Sequence, residues 1–397
     1  AQMFEKDLRF LAGAKTIKSL PDILFSQLAC DFLDELSKNL IKSKKAKIYQ
    51  DIISFAFWCR KSNIDKLKNQ FSDSNIRIGL GLIFHISPSN VPINFAYTFV
   101  FGLITGNSNV IRVSSKNFPQ TVIICQEIKN LFNKKKYKNL KKKNLFIKYK
   151  HDDKITGYYS SICNARVIWG GNKTINDLRS VPIPPNAKEI VFSDKYSICI
   201  INSDKLNKLK DIDIKKIAEK FYNDTFLFDQ NACSSPHLVL WLGKNHQTAS
   251  KKFWEQLSSI AQSKYKLEAS SNIDKIMKLR DDSAKLQNIK NIYKMNNYIY
   301  RVQLKKLSKN LHELRGKWGY FYEYCLKNLN VISKFINTNF QTITYYGVKK
   351  SDMVDFAKNN NLKGVDRIVP IGEALEIGLV WDGIDLRRSL SRIIDIN

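Results

Sequence analysis

Apolar residues recur at four-residue spacing early in the chain, at Leu24, Leu28, Phe32 and Leu36, and Ile52, Phe55 and Ala56 continue the pattern. That period puts them on one face of a helix, so the opening section is predicted helical, closed by the charged stretch 61–73. Residues 76–86 read instead as extended, with Gly79 and Gly81 among apolar neighbours. Pro88, Asn90 and Pro92 then forbid regular structure over 87–92. Helix is predicted again over 93–103, a turn at Gly106-Asn107, and a strand over 109–113. Strand, crossover helix and strand form the unit of a parallel sheet, where ligands gather at the carboxyl ends of the strands.

A helix over 120–132, a basic linker and a strand over 166–169 repeat the unit. Gly170-Gly171-Asn172 closes that strand, where backbone N–H groups can approach a phosphate. Two apolar runs within 191–201 read as the last stretch of a cofactor domain. An amphipathic helix over 212–223 leads towards Cys233 and an apolar strand over 238–242. Residues 254–291 read as helical and charged, and 335–346, 367–371 and 379–381 as strands.

Composition narrows the classes. At 397 residues the chain can bury a large core and is expected to divide into two domains. The longest apolar stretch, 95–104, is too short to span a bilayer and reads as a buried helix. Residues 1–20 mix charged and apolar side chains and lack the apolar centre of a secretory signal, so a cytoplasmic protein is expected. The seven cysteines are scattered, odd in number and without C-x-x-C spacing, and the five histidines are dispersed. Neither a disulfide framework nor a metal site is expected. The net charge is +29, and ten lysines fall between Lys129 and Lys150. Such charge speaks to partners and not to fold. Without aromatic interleaving or a helix-turn-helix pattern, it argues against nucleic-acid binding.

The chemistry centres on Asp229-Gln230-Asn231-Ala232-Cys233-Ser234-Ser235-Pro236. It sets a thiol among small residues ahead of an apolar strand, accessible to a carbonyl carbon, although a lone cysteine is often just a small buried hydrophobe. A second segment, Ser87-Pro88-Ser89-Asn90-Val91-Pro92, is followed by Gly102, Gly106-Asn107 and Val110-Ile111-Arg112. Together, in that order, the two segments resemble the aldehyde dehydrogenase superfamily. More narrowly, the chain is similar to the LuxC-type long-chain acyl-CoA reductases of bacterial luminescence systems. Phe55-Ala56-Phe57-Trp58-Cys59-Arg60-Lys61, Phe340-Gln341-Thr342-Ile343-Thr344-Tyr345-Tyr346-Gly347, Gly364-Val365-Asp366-Arg367-Ile368-Val369-Pro370-Ile371-Gly372 and Trp381-Asp382-Gly383 support the narrower match.

The resemblance implies an α/β, aldehyde-dehydrogenase-like fold, with a Rossmann-type cofactor domain and an α/β catalytic domain built on a mostly parallel sheet. The expected division is residues 1–205 for the N-terminal helices and nucleotide-binding domain and 206–370 for the catalytic domain. Residues 371–397 then form a C-terminal segment packing back on the nucleotide-binding or oligomerisation region. By position Cys233 is the nucleophile. Asn90 matches the asparagine whose amide joins the nucleophile's own N–H in holding an oxyanion; its plain alternative is a turn residue capping the next helix. Oxidative relatives carry a Glu-Leu-Gly-Gly base where this chain has Val191-Phe192-Ser193-Asp194. Glu189, two residues earlier, points to the same face of a strand but is not assigned that role. Loss of the hydrolytic base suits an enzyme that starts from a thioester and delivers hydride to it.

Relatives have Lys-Pro-Ala-Glu where this chain has Arg112-Val113-Ser114-Ser115. Replacing the ribose-binding acid by Ser115, beside Arg112 and Lys116, favours NADPH over NADH. Gly170 and Gly171 join the expected cofactor set, and Glu323 is matched with the glutamate that grips the nicotinamide ribose, against the plain alternative of a surface glutamate. His237 is too constrained by Pro236 to pair with Cys233, and His85 reads as a packed core residue.

The implied function is NADPH-dependent reduction of a fatty acyl thioester, acyl-CoA or acyl-protein, to the aldehyde through a thioacyl enzyme. An acyl-protein synthetase partner and a homo-oligomer are expected with it. The rivals are a CoA-acylating or oxidative aldehyde dehydrogenase and, from another class, a non-catalytic basic scaffold with this fold.

Overall fold

In a computed structural model, which describes residues 8–396, the chain forms seventeen strands among the described residues. They are β1 (Arg9–Gly13), β2 (Ile76–Gly79), β3 (Leu82–Ile86), β4 (Ser108–Arg112), β5 (Asn144–Lys148), β6 (Ala165–Trp169), β7 (Lys188–Phe192), β8 (Tyr196–Asn202), β9 (Pro236–Leu242), β10 (Ile289–Met295), β11 (Ile299–Leu304), β12 (Tyr320–Leu326), β13 (Phe340–Tyr346), β14 (Arg367–Pro370), β15 (Val380–Trp381), β16 (Ile384–Asp385) and β17 (Ser391–Ile394). The reading of residues 1–20 rests in part on residues 1–7, which lie outside the described residues.

Contacts divide the chain into two compact units. One runs up to Ser193 and resumes at Gly378; the other is Asp194–Ile377. The first holds a six-stranded sheet of order β1-β5-β4-β3-β6-β7, parallel except for the antiparallel edge strand β1. From β3 the chain winds one way through β4 and β5, then returns to the other side of β3 for β6 and β7. That reversal, between β3 and β6, is the topological switch of a doubly wound fold, the place where ligands gather beyond the carboxyl ends of the strands. The second unit holds a seven-stranded sheet of order β10-β11-β12-β9-β8-β13-β14, antiparallel only between β10 and β11.

Several expectations shift in detail. The extended stretch 76–86 is two strands, broken at Gly81, whose φ of +131° disfavours a side chain and where a Cβ would come within 2.3 Å of Asn164 Oδ1. The run 191–201 also splits. Its start ends β7 in the first sheet, and its remainder is β8 in the second. The basic linker is no linker: it contains the helix Lys138–Lys143 and the buried strand β5. Residues 254–291 hold the end of the helix His246–Lys264, the whole helix Ala269–Lys285 and the start of β10.

The helix Asn94–Ile104 is buried along its whole length from Phe95. It lies against β3 and β4 over a row of buried polar groups. His85 Nδ1 meets Thr98 Oγ1 at 2.8 Å, His85 Nε2 meets Asn109 Oδ1 at 2.9 Å, and Asn109 Nδ2 donates to Asn144 Oδ1 at 2.9 Å. Burial pushes His85 down to about 4, so it is a neutral core residue that ties β3 to β4.

Candidate active site

Within the first unit, four segments meet at the carboxyl ends of neighbouring strands. β3 and β4 pair through Ile86 and Arg112, and β3 and β6 through Ile86 and Ile168. The turn after β3 therefore lies beside the turn after β4, and Ser114 joins them: its hydroxyl donates to Ser89 O at 3.4 Å and accepts from Lys116 N at 3.1 Å. Asn90 is exposed on the first turn, and Ser115 and Lys116 are exposed on the second. Arg112 lays its guanidinium over the Tyr149 ring at 4.4 Å, with Nε buried and without a hydrogen-bond partner. On the other side of β3, Gly170 and Gly171 lead into the helix Asn172–Arg179. A Cβ on Gly171 would meet nothing within 4 Å, so the backbone there is open to approach.

This set suits an anionic nucleotide. Arg112 keeps an unsatisfied donor, Lys116 adds a second cation, and no acidic side chain stands between residues 112 and 116. A phosphate needs such donors, and a carboxylate among them would repel it.

In the second unit, the thiol loop is laced from several sides. Asp229 and Gln230 both adopt positive φ, +53° and +63°, a conformation that costs a side-chain-bearing residue about 1 kcal/mol. Gln230 stabilises it by spending its whole amide on the neighbouring backbone. Oε1 accepts from Gly319 N and Tyr320 N, each at 3.2 Å, and Nε2 donates to Tyr320 O at 2.9 Å and Pro236 O at 3.2 Å. Ser197 Oγ donates to Cys233 O at 2.6 Å, and Ser235 Oγ to Asp224 O at 2.6 Å. Cys233 itself is half-buried, with Sγ 3.7 Å from Asp194 Oδ1. Arg315 Nη1 donates to that same oxygen at 3.0 Å.

The other six thiols are shifted away from reactivity. Burial pushes Cys30, Cys59, Cys125, Cys163, Cys199 and Cys325 upward, Cys163 to about 11. His237 is buried, with Nδ1 accepting from Gly316 N at 3.2 Å and its ring stacked on Tyr196. Burial lowers it to about 3, so it is a neutral structural residue, as the proline ahead of it suggests.

Glu323 needs correction. It lies inside the second unit on β12, 1 % exposed, and neither reading of it fits. Oε1 accepts from Trp254 Nε1 at 2.6 Å and Trp241 Nε1 at 2.8 Å, while Arg301 Nη1 reaches Oε2 at 3.1 Å. These bonds tie helix His246–Lys264 and strands β9 and β11 to β12, and burial leaves the carboxylate no access to a ribose. Glu189 is likewise committed, paired with Arg166 and, at 3.0 Å, with Arg179 Nε. Gln230, Asp194 and Arg315 are the site residues that sequence reading passed over. Gln230 carried a signal, as a polar residue at the junction of an amphipathic helix and an apolar strand.

Comparison with solved structures defines the fold. The chain is similar to glyceraldehyde-3-phosphate dehydrogenase GapN from Methanocaldococcus jannaschii in complex with NADP, with a TM-score of 0.64 and 13% identity over 93% of this chain and 88% of that one. It is also similar to an NAD-dependent benzaldehyde dehydrogenase from Corynebacterium glutamicum, with a TM-score of 0.60 and 13% identity over 92% and 82%. A lactaldehyde dehydrogenase matches at a TM-score of 0.63 and 11% identity over 92% and 86%. The fold is therefore that of the aldehyde dehydrogenase superfamily. No curated protein matches the chain in sequence. The profile of the acyl-CoA reductase (LuxC) family matches residues 44–393, and the chain belongs to that family. It is thus an oxidoreductase of the acyl-CoA reductase class. No helix among the described residues is long and apolar enough to cross a membrane.

Proposed function

We propose that this protein reduces a fatty acyl thioester to the aldehyde with NADPH, through a thioacyl intermediate on Cys233. The observation that carries the reading is the placing of Cys233: it stands half-buried on a braced loop beside the Asp194–Arg315 pair. A thiolate is the nucleophile in such chemistry, and bracing holds it in place for attack.

In this reading, Cys233 Sγ bonds to the acyl carbon and the donor thiol departs. Asn90 supplies an amide donor to the oxyanion, one of the strongest single contributions a site can make. Arg112, Ser115 and Lys116 would hold the 2′-phosphate of the cofactor, and the backbone at Gly170 and the open Gly171 would receive its pyrophosphate. When bound, the reduced nicotinamide supplies hydride to the thioester carbon. Collapse of the resulting thiohemiacetal frees the aldehyde and returns the thiol. Glu189, held by two arginines, is not free to serve as a hydrolytic base, which suits release of aldehyde over acid. The acyl donor is proposed to be CoA or a partner acyl-protein.

Incubating the protein with a long-chain acyl-CoA and NADPH tests the proposal. One aldehyde should form for each NADPH oxidised. Thiol release without NADPH oxidation or aldehyde would point to a thioesterase and contradict it.

A further inference from the structure

The loop ahead of β8 and the loop ahead of β9 run side by side. The two strands pair in parallel with Ser197 opposite Pro236. The turn ahead of β9, tied by Ser197 Oγ to Cys233 O, sets Cys233 Sγ 3.7 Å from Asp194 Oδ1. β12 flanks β9 on the other side, and the loop ahead of it brings Arg315 to the same oxygen at 3.0 Å. Arg315 is held at two further points, by Nε donating to His312 O at 3.1 Å and by its guanidinium over the Tyr196 ring at 5.8 Å. A carboxylate, a thiol and a guanidinium therefore share one oxygen at the amino-terminal ends of three adjacent strands.

We propose that Asp194 is a catalytic residue that takes the proton from Cys233 and returns it, and that Arg315 is the positioning residue that fixes the carboxylate's place and charge. The proposal rests on Cys233 being the acylated thiol. In acyl transfer, Asp194 accepts the S–H proton as Sγ bonds to the acyl carbon. The bond from that carbon to the donor sulfur breaks, and the departing thiolate receives the proton from Asp194. In reduction, hydride from the nicotinamide adds to the thioester carbon. The tetrahedral oxyanion collapses to aldehyde, and the Cys233 thiolate is expelled. Asp194 reprotonates it with a proton drawn from water, the one proton that the reduction consumes. The side chains of Asp194 and Arg315 are 55% and 32% exposed, which keeps solvent within reach of the carboxylate.

The test is the pH dependence of Cys233 alkylation by iodoacetamide in the full chain, followed on the Cys233 peptide by mass spectrometry. Asp194→Asn leaves Arg315 as an unopposed cation beside the thiol and should move half-maximal alkylation to lower pH. Arg315→Met leaves an unopposed carboxylate and should move it to higher pH, and Arg315→Lys should restore the wild-type curve. Each shift should be about half a pH unit, the size that solvent screening leaves for charges this exposed. Acyl transfer and aldehyde formation should both fall about 100-fold in Asp194→Asn, the usual scale of a lost proton-transfer group. Coincident alkylation curves for wild type, Asp194→Asn and Arg315→Met would overturn the proposal. Alkylation needs no acyl substrate, so this result is separate from a failure of wild type to be acylated, which would instead overturn the role of Cys233.

Discussion

Asn90 stands exposed on the turn after β3, beside the segment that carries Arg112 and Ser115. Whether it is a turn residue or an oxyanion donor is decided by turnover. Asn90→Ala should lower kcat by about 100-fold while leaving nucleotide affinity nearly unchanged, because one oxyanion donor acts on the transition state. Steady-state kinetics with normal turnover would make it a turn residue. Ser115→Glu tests the neighbouring cofactor assignment. A carboxylate beside Arg112 and Lys116 should raise the KM for NADPH about tenfold or more, spare NADH, and lose part of that difference in added salt. Wild type already preferring NADH, with no change in Ser115→Glu, would show that the 2′-phosphate assignment fails. The segments around Cys233 and Asn90 stand out in the sequence because their signal is local. Glu323 was misread because its partners, Arg301, Trp241 and Trp254, come from other elements and appear only when the sheet and its covering helix assemble.

Among elements, the loop after β14 depends on one buried acid. Asp224, near the end of the helix Asp211–Phe226, accepts from Gly372 N at 2.7 Å and Ala374 N at 3.1 Å, and Arg367 holds the same loop through the carbonyls of Glu373, Ala374 and Glu376. Burial pushes Asp224 up to about 7, against the lowering effect of those two N–H groups. A carboxyl raised in the fold stabilises most fully when protonated in both states, below the usual carboxylate range. That contribution is lost as pH rises from about 4 towards 7, at a slope of up to about 1.4 kcal/mol per pH unit. Urea unfolding should show this loss in wild type and not in Asp224→Asn, which stays neutral. Parallel pH profiles for the two proteins would contradict it. The elements legible in sequence were those with a clear period, such as the helix Gln27–Lys42, or a continuous apolar run, such as β9. β5 escaped because lysines crowd its short apolar centre, Leu145-Phe146-Ile147. β10 escaped because it is an edge strand with most of its residues exposed, so it has no buried face to alternate.

For the molecule as a whole, the charge of +29 is partly built into the fold. Lys134 and Lys136 pair with Glu35 and Asp31 of the helix Gln27–Lys42, Lys143 is buried, and Lys148 Nζ donates to Lys116 O. The lysine run therefore helps to hold β5 and its neighbouring helices in place, a role that composition alone does not reveal. The alternation of strands and helices was readable through much of the doubly wound sheet, while β11 and β12 of the second sheet were not read as strands; the change of sheet after Ser193 also escaped, because β7 and β8 are nearly continuous in sequence yet belong to different sheets. The central claim is that Cys233 carries the acyl group. The most direct measurement is trapping with a radiolabelled long-chain acyl-CoA in the absence of NADPH, followed by hydroxylamine treatment and peptide mapping. The account predicts hydroxylamine-sensitive label on the Cys233 peptide of wild type and none in Cys233→Ala. Wild type without label, or label that persists on another residue in Cys233→Ala, would contradict it.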